Sequence, residues 1–103
     1  MIKVSVFYPN KDGAKFDMGY YLNSHMPMVK AKLGAPLKQM AVEQGVSGGA
    51  PGSKALYVAM AHLSFDSAAA FEAAFMPHAD NIMGDIPNYT DIEPIIQISD
   101  VKI

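Results

Sequence analysis

Two histidines, His25 and His78, stand where an imidazole needs a reason to be. At 100° per residue, Met18, Leu22, His25 and Val29 fall on one arc of a predicted helix, with Tyr21 at its edge. Phe71, Phe75, His78 and Ile82 share one arc of a second helix. Both rings therefore face the apolar side of their helices. A titratable ring on a buried face either finds a hydrogen-bond partner or lines a cavity. Each also neighbours a proline, Pro27 or Pro77, which removes a helical N–H and frees the carbonyl four residues back, at Asn23 or Ala73. A helix break beside an inward histidine puts polar groups next to an apolar cleft. It equally serves to bend a helix over a small sheet. In the functional reading, His25 is a general acid or base oriented by Tyr21. His78, Phe71, Phe75, Ile82 and Val29 then line a ligand pocket. In the bland reading, His25 and His78 are core rings bonded to a carbonyl or a tyrosine hydroxyl.

The remaining polar residues say less. His62 lies on a strand face that its pattern does not assign, and Asp85 and Asp91 read as turn and cap residues. A metal site built from His25, His62 and His78 lacks i,i+4 spacing and a recurring carboxylate. No metal and no cofactor is expected. All eight basic residues are lysines, scattered along a chain of net charge -2. Without arginine forks or a basic stripe, nucleic acid is not an expected partner. No apolar run reaches membrane-spanning length, and cysteine is absent. The expectation is a cytoplasmic protein.

The elements that must position these residues follow from periodicity. Residues 2–8 alternate as a strand, and Pro9 to Gly13 form a loop. Asp17 caps a helix over 18–34, stopped by Gly34-Ala35-Pro36. Strands are predicted over 37–46 and 55–65, joined by a glycine-rich loop at 45–53. Asp66 caps a helix over 67–83, residues 84–91 are irregular, and the last strand spans 92–102 with Pro94 near its start. The order βαββαβ with right-handed crossovers predicts an α+β, ferredoxin-like sandwich. It has a four-stranded antiparallel sheet with both helices on one face. In the third strand, Tyr57, Ala59, Ala61 and Leu63 would face one side and Val58 and Met60 the other. In the last, Ile95 and Val101 oppose Ile96 and Ile98. Helices cover one face only, so a second copy of the chain is expected on the other, making a homodimer.

The motif Phe16-Asp17-x-x-Tyr20-Tyr21-x-x-x-His25-Met26-Pro27 resembles the first-helix signature of the EthD family, named for an accessory gene of ethyl tert-butyl ether degradation. Pro77-His78-Ala79, the run Ile82 to Asp91, and the closing strand Gln97 to Val101 resemble its later signatures. The resemblance covers residues 1–103 as a single EthD-like domain. It implies a dimeric α+β barrel, whose relatives include cofactor-free monooxygenases, polyketide cyclases and haem-degrading enzymes. Their pockets lie between sheet and helices. Two functions follow as expectations. One is a pocket for a small, largely apolar metabolite, with cofactor-free acid–base or oxygenase-type chemistry in catabolism. The other is a non-catalytic accessory protein that binds a metabolite or a partner enzyme in a degradation pathway.

Overall fold

The alternation of residues 2–8 makes β1 (Ile2–Pro9) a strand, and its burial on both sides makes it central. A computed structural model describes all of residues 1–103. It sets β1 between β3 (Tyr57–Phe65) and β4 (Ile95–Asp100), with β2 (Gln39–Gln44) outside β3. All pairings are antiparallel, giving the ferredoxin-like order β2-β3-β1-β4. Residues paired across antiparallel strands share a face. Met40, Leu63, Val4 and Ile98 therefore form one row, and Val42, Ala61, Val6 and Ile96 the next. Both helices lie over these rows, although Ile96 and Ile98 at the β4 edge stay close to half exposed.

The helices are segmented by their prolines. The first, α1 (residues 18–33), runs as an α-turn Met18–Tyr20, a π-helix Tyr21–His25 and an α-helix Met26–Leu33. Asp17 caps it as expected, its Oδ1 accepting from the Tyr20 N–H at 3.0 Å. It ends at Gly34, which takes φ 65°, a conformation that costs other residues a Cβ clash. The second, α2 (residues 68–84), comprises an α-helix Ala68–Phe75, a 3-10 turn Met76–His78 and an α-helix Ala79–Gly84. Its cap is Ser67, not Asp66: the Ser67 Oγ accepts from the Ala70 N–H at 3.1 Å. A further 3-10 turn, Ile86–Asn88, leads towards β4. No helix is long and apolar enough to cross a membrane.

Strand ends depart from expectation where backbone chemistry intervenes. β2 ends at Gln44, and at Gly45 the backbone comes so close to the opposing chain that a Cβ would clash with the Tyr57 carbonyl oxygen. β1 and β3 slip register between Tyr8 and Pro9. That bulge brings Tyr57 against Phe7, with ring centroids 5.0 Å apart, so Tyr57 leaves the row that alternation gave it. β4 holds only residues 95–100, although Ile92 ahead of it is buried. The face away from the helices is more polar than expected. Its middle row carries Ala41, His62, Ser5 and Gln97, and the row beyond carries Glu43, Met60, Phe7 and Ile95.

Candidate functional site

Pro27 shapes the site through the hydrogen bond it cannot donate. The Met26 N–H reaches back five residues to the Tyr21 carbonyl, which defines the π-turn. The wider turn changes which side chains face the sheet. Tyr21 is 1% exposed and His25 4%, while Leu22, expected on the buried arc, is 47% exposed. The Tyr21 and His25 rings stack at 5.6 Å with planes 14° apart. An ideal helix would have put Tyr21 at the edge of the stripe; the π-turn brings it to the centre.

Between α1, α2 and the covered face of the sheet lies a cavity of about 270 Å³. Tyr21, His25 and Val29 line it from α1, and Phe71, Phe75 and Ile82 from α2. Val4, Val6, Ala61 and Leu63 form its floor. His78, expected in the same lining, is half-buried and stands outside it. The cause is Pro77: His78 ends a 3-10 turn at φ -119°, ψ 7°, which breaks the arc that a straight helix would have continued to it. The only polar side chains on the wall are His25, Tyr8 and Tyr21.

His25 is held from both nitrogens. Its Nδ1 lies 2.9 Å from Asp85 Oδ2, and its Nε2 lies 3.3 Å from the Tyr89 hydroxyl. Tyr89 in turn meets the Tyr8 hydroxyl at 2.6 Å. Asp85 Oδ1 accepts from the Tyr20 hydroxyl at 2.8 Å and from Asn88 Nδ2 at 2.9 Å. Burial pushes the imidazole below its ordinary pKa near 6.5, against the Asp85 carboxylate, which pulls it up. Burial would raise the Asp85 carboxyl, but the hydrogen bonds from Asn88, His25 and Tyr20 outweigh it and hold the group below its usual range. The carboxylate can only accept, so Nδ1 carries the proton and Nε2 is the basic lone pair. Burial also raises the phenols of Tyr8, Tyr21 and Tyr89, which keeps them protonated at neutral pH.

Asp85 and Tyr89 were not legible as partners of His25, nor Tyr8 as the partner of Tyr89. Asp85 lies 60 residues from it in a segment whose prolines and asparagine signal a turn. Asp91 does behave as a turn residue, accepting from the Lys15 N–H at 2.8 Å. His62 falls on the opposite face of the sheet, between Ser5 Oγ (2.8 Å from Nδ1) and Glu43 Oε1 (3.0 Å from Nε2). The three histidines do not converge, and no group of three His, Asp or Glu side chains is arranged to hold a metal ion.

The model of the EthD domain matches residues 11–93. Among solved structures, an EthD-like protein from Ralstonia eutropha is 50% identical, with a TM-score of 0.94 over 99% of this chain and 92% of that one. An EthD family protein from Bacillus halodurans is 16% identical with a TM-score of 0.68, over 99% of each chain. A protein from Arabidopsis thaliana is 15% identical with a TM-score of 0.71, over 100% of this chain and 97% of that one. These last two share the fold alone. No match was found among the curated proteins. With the family signature spanning most of its length and half of its residues identical to an EthD-like protein, the chain belongs to the EthD family.

Proposed function

We propose that this protein binds a small, neutral, largely apolar metabolite between sheet and helices, and that His25 acts on it as a general base. One observation carries the reading: a buried imidazole, its tautomer fixed by Asp85, sits on the wall of an otherwise apolar cavity. Nε2 takes a proton from an activated C–H or O–H bond, while Asp85 stabilises the imidazolium that forms. Tyr21 keeps the ring in plane by stacking on it. A cavity of roughly 150 Å³ holds benzene, so about 270 Å³ suits one substituted ring. No lysine, glutamate or aspartate lines the wall, which disfavours charged ligands. Proton removal is also the first step of cofactor-free oxygenation of an activated ring. The family's association with ether degradation supports a catabolic setting, and a cysteine-free chain suits the cytoplasm.

A panel of small aromatic and alicyclic carbonyl compounds, scanned by thermal shift and for product, tests this. At about 100-fold excess over its Kd, a ligand adds roughly 2.7 kcal/mol, enough to move Tm by about ten degrees or more in a domain of this size. The expected result is a hit that wild type converts and that His25→Gln binds without converting. No hit, or conversion by His25→Gln at the wild-type rate, would overturn it. The second reading, a non-catalytic accessory binder, is favoured by one fact. The network is already closed, with the Tyr89 hydroxyl on Nε2 and no buried side-chain polar atom lacking a partner. Binding without turnover in wild type would select it.

We further infer that two copies pair through the sheet face opposite the helices. Phe7, Met60, Tyr57 and Ile95 support this, since Ile95 is 52% exposed and the helices leave that side bare. A stable pairing buries more than about 1,200 Å² in total. Sedimentation at micromolar concentration should give twice the 11.1 kDa chain mass; a monomer at that concentration would refute the pairing.

A further inference from the structure

The chain of hydrogen bonds through His25 has a direction, and it ends at a residue other than His25. Asp85 accepts the Nδ1 proton, so Nε2 accepts. The Tyr89 hydroxyl therefore donates to Nε2, and its oxygen is left to accept from the Tyr8 hydroxyl at 2.6 Å. Tyr89 is buried and does not line the cavity, whereas Tyr8 does. Tyr8 lines the cavity, and with its own proton committed to Tyr89 its oxygen is left as an acceptor. At the other end, Asp85 is 18% exposed and bonded to Asn88 and Tyr20 near the surface. The line Tyr8–Tyr89–His25–Asp85 thus joins the cavity to the protein surface through groups that each hold one mobile proton or lone pair.

We propose that Tyr8 is the catalytic residue that meets the substrate, that the base His25 acts through Tyr89 and Tyr8, and that the substrate is a neutral apolar molecule bearing an acidic O–H, a phenol or an enol. This rests on the reading of His25 as a base given above and names the substrate class for it. The substrate O–H proton passes to the Tyr8 oxygen, the Tyr8 proton to Tyr89, and the Tyr89 proton to His25 Nε2. Each O–H bond broken is replaced by an O–H or N–H bond formed. Both tyrosines end neutral, the substrate is a phenolate or enolate, and the imidazolium faces Asp85. The polarity of the chain is then reversed: Nε2–H donates to Tyr89, Tyr89 to Tyr8, and Tyr8 to the new anion. The anion in the apolar cavity gains a hydrogen-bond donor at the moment it forms. An ether, an ester or a hydrocarbon of the same shape engages none of this.

Two probes of matched shape separate the cavity from the relay: 4-methylphenol carries the O–H, and toluene lacks it. Binding of each to wild type, Tyr8→Phe and Tyr89→Phe is measured by calorimetry, with the imidazole 15N resonances of His25 followed by NMR. Wild type should bind 4-methylphenol roughly tenfold more tightly than toluene, the span of one good hydrogen bond. Saturation with 4-methylphenol, but not with toluene, should shift the Nε2 resonance, because a proton donated to the Tyr8 oxygen tightens the hydrogen bonds from Tyr8 to Tyr89 and from Tyr89 to Nε2. Tyr8→Phe removes the donor to Tyr89 and leaves the Tyr89–His25 bond intact, so it should fold. It should bind toluene as wild type does, lose the preference for 4-methylphenol and lose the Nε2 response. Tyr89→Phe should lose the Nε2 response as well. An unchanged preference in Tyr8→Phe, or an Nε2 response that survives in both variants, would mean that the ligand meets His25 directly and would overturn the relay while leaving the cavity reading intact. Failure of both probes to bind wild type would remove the cavity reading, and the relay with it.

Discussion

A chain truncated after residue 91 is expected to have no cooperative unfolding transition. β4 pairs with the central strand from Ile2–Asp100 to Phe7–Ile95, and the Val101 N–H bonds the Met1 carbonyl at 3.0 Å. Its removal exposes the edge of β1 and with it Val4 and Val6, which floor the cavity. Ile92 is buried and alone contributes about 1.5–3 kcal/mol, while Ile96 and Ile98, each close to half exposed, contribute less per residue. Pro94 and Ile96 also close one side of the cavity. Together with the lost ladder bonds, these terms approach the whole stability of a typical domain, about 5–15 kcal/mol. Circular dichroism in urea would show a broad, non-cooperative change. A sharp transition with a urea midpoint close to that of the full-length chain would show that β4 is dispensable.

Asp85→Ala should cost roughly 1–3 kcal/mol of stability, far more than a surface aspartate normally would. The side chain looks peripheral, at 18% exposure, but it accepts from His25, Tyr20 and Asn88 at once. Its loss leaves the buried Nδ1–H of His25 without a partner. It also removes the one group that pulls the imidazole pKa up, so His25 should titrate lower still in the variant. The loss of tautomer control is the functional effect: without the carboxylate, Nε2–H competes with Nδ1–H, and Nε2 is no longer reliably the acceptor. Conversion of any substrate found for the wild type should fall by more than about tenfold even where binding persists. A wild-type denaturant midpoint together with wild-type turnover would show that Asp85 is a turn residue and nothing more.

The fold was legible because it rests on patterns with a period. Alternation over residues 2–8, the caps and stops around Asp17 and Gly34, and the order of elements follow from local chemistry, and the sheet order follows from those elements and crossover handedness. What failed was finer. A straight-helix projection put Leu22 inside and Tyr21 at the edge, because a π-turn is invisible to a period of 3.6. The same projection carried His78 into the cavity across a break that Pro77 had announced but not quantified. Ser67 rather than Asp66 caps α2, a shift of one residue between two good capping types. His25, Val29, Tyr21, Phe71, Phe75 and Ile82 do share one cavity. The hydrogen-bond partners of His25 were out of reach. Asp85 and Tyr89 come from a segment 60 and 64 residues away, and Tyr8, on β1, reaches the network only through Tyr89; no spacing rule connects them.

The pH dependence of stability has a definite sign. His25 has a folded pKa below its unfolded value near 6.5, so its contribution is complete above 6.5 and is lost as pH falls through the folded value. Asp85, also depressed, adds a loss in the same direction below its ordinary value of 3.8.

The most direct test of the central claim is the 15N spectrum of the His25 imidazole through a pH titration of the wild-type protein. At pH 7, Nδ1 should resonate as a protonated nitrogen and Nε2 as an unprotonated one, with Nε2 taking up a proton only below pH 6.5. An imidazolium at pH 7, or a neutral ring with the proton on Nε2, would contradict the account of His25 as a buried base oriented by Asp85.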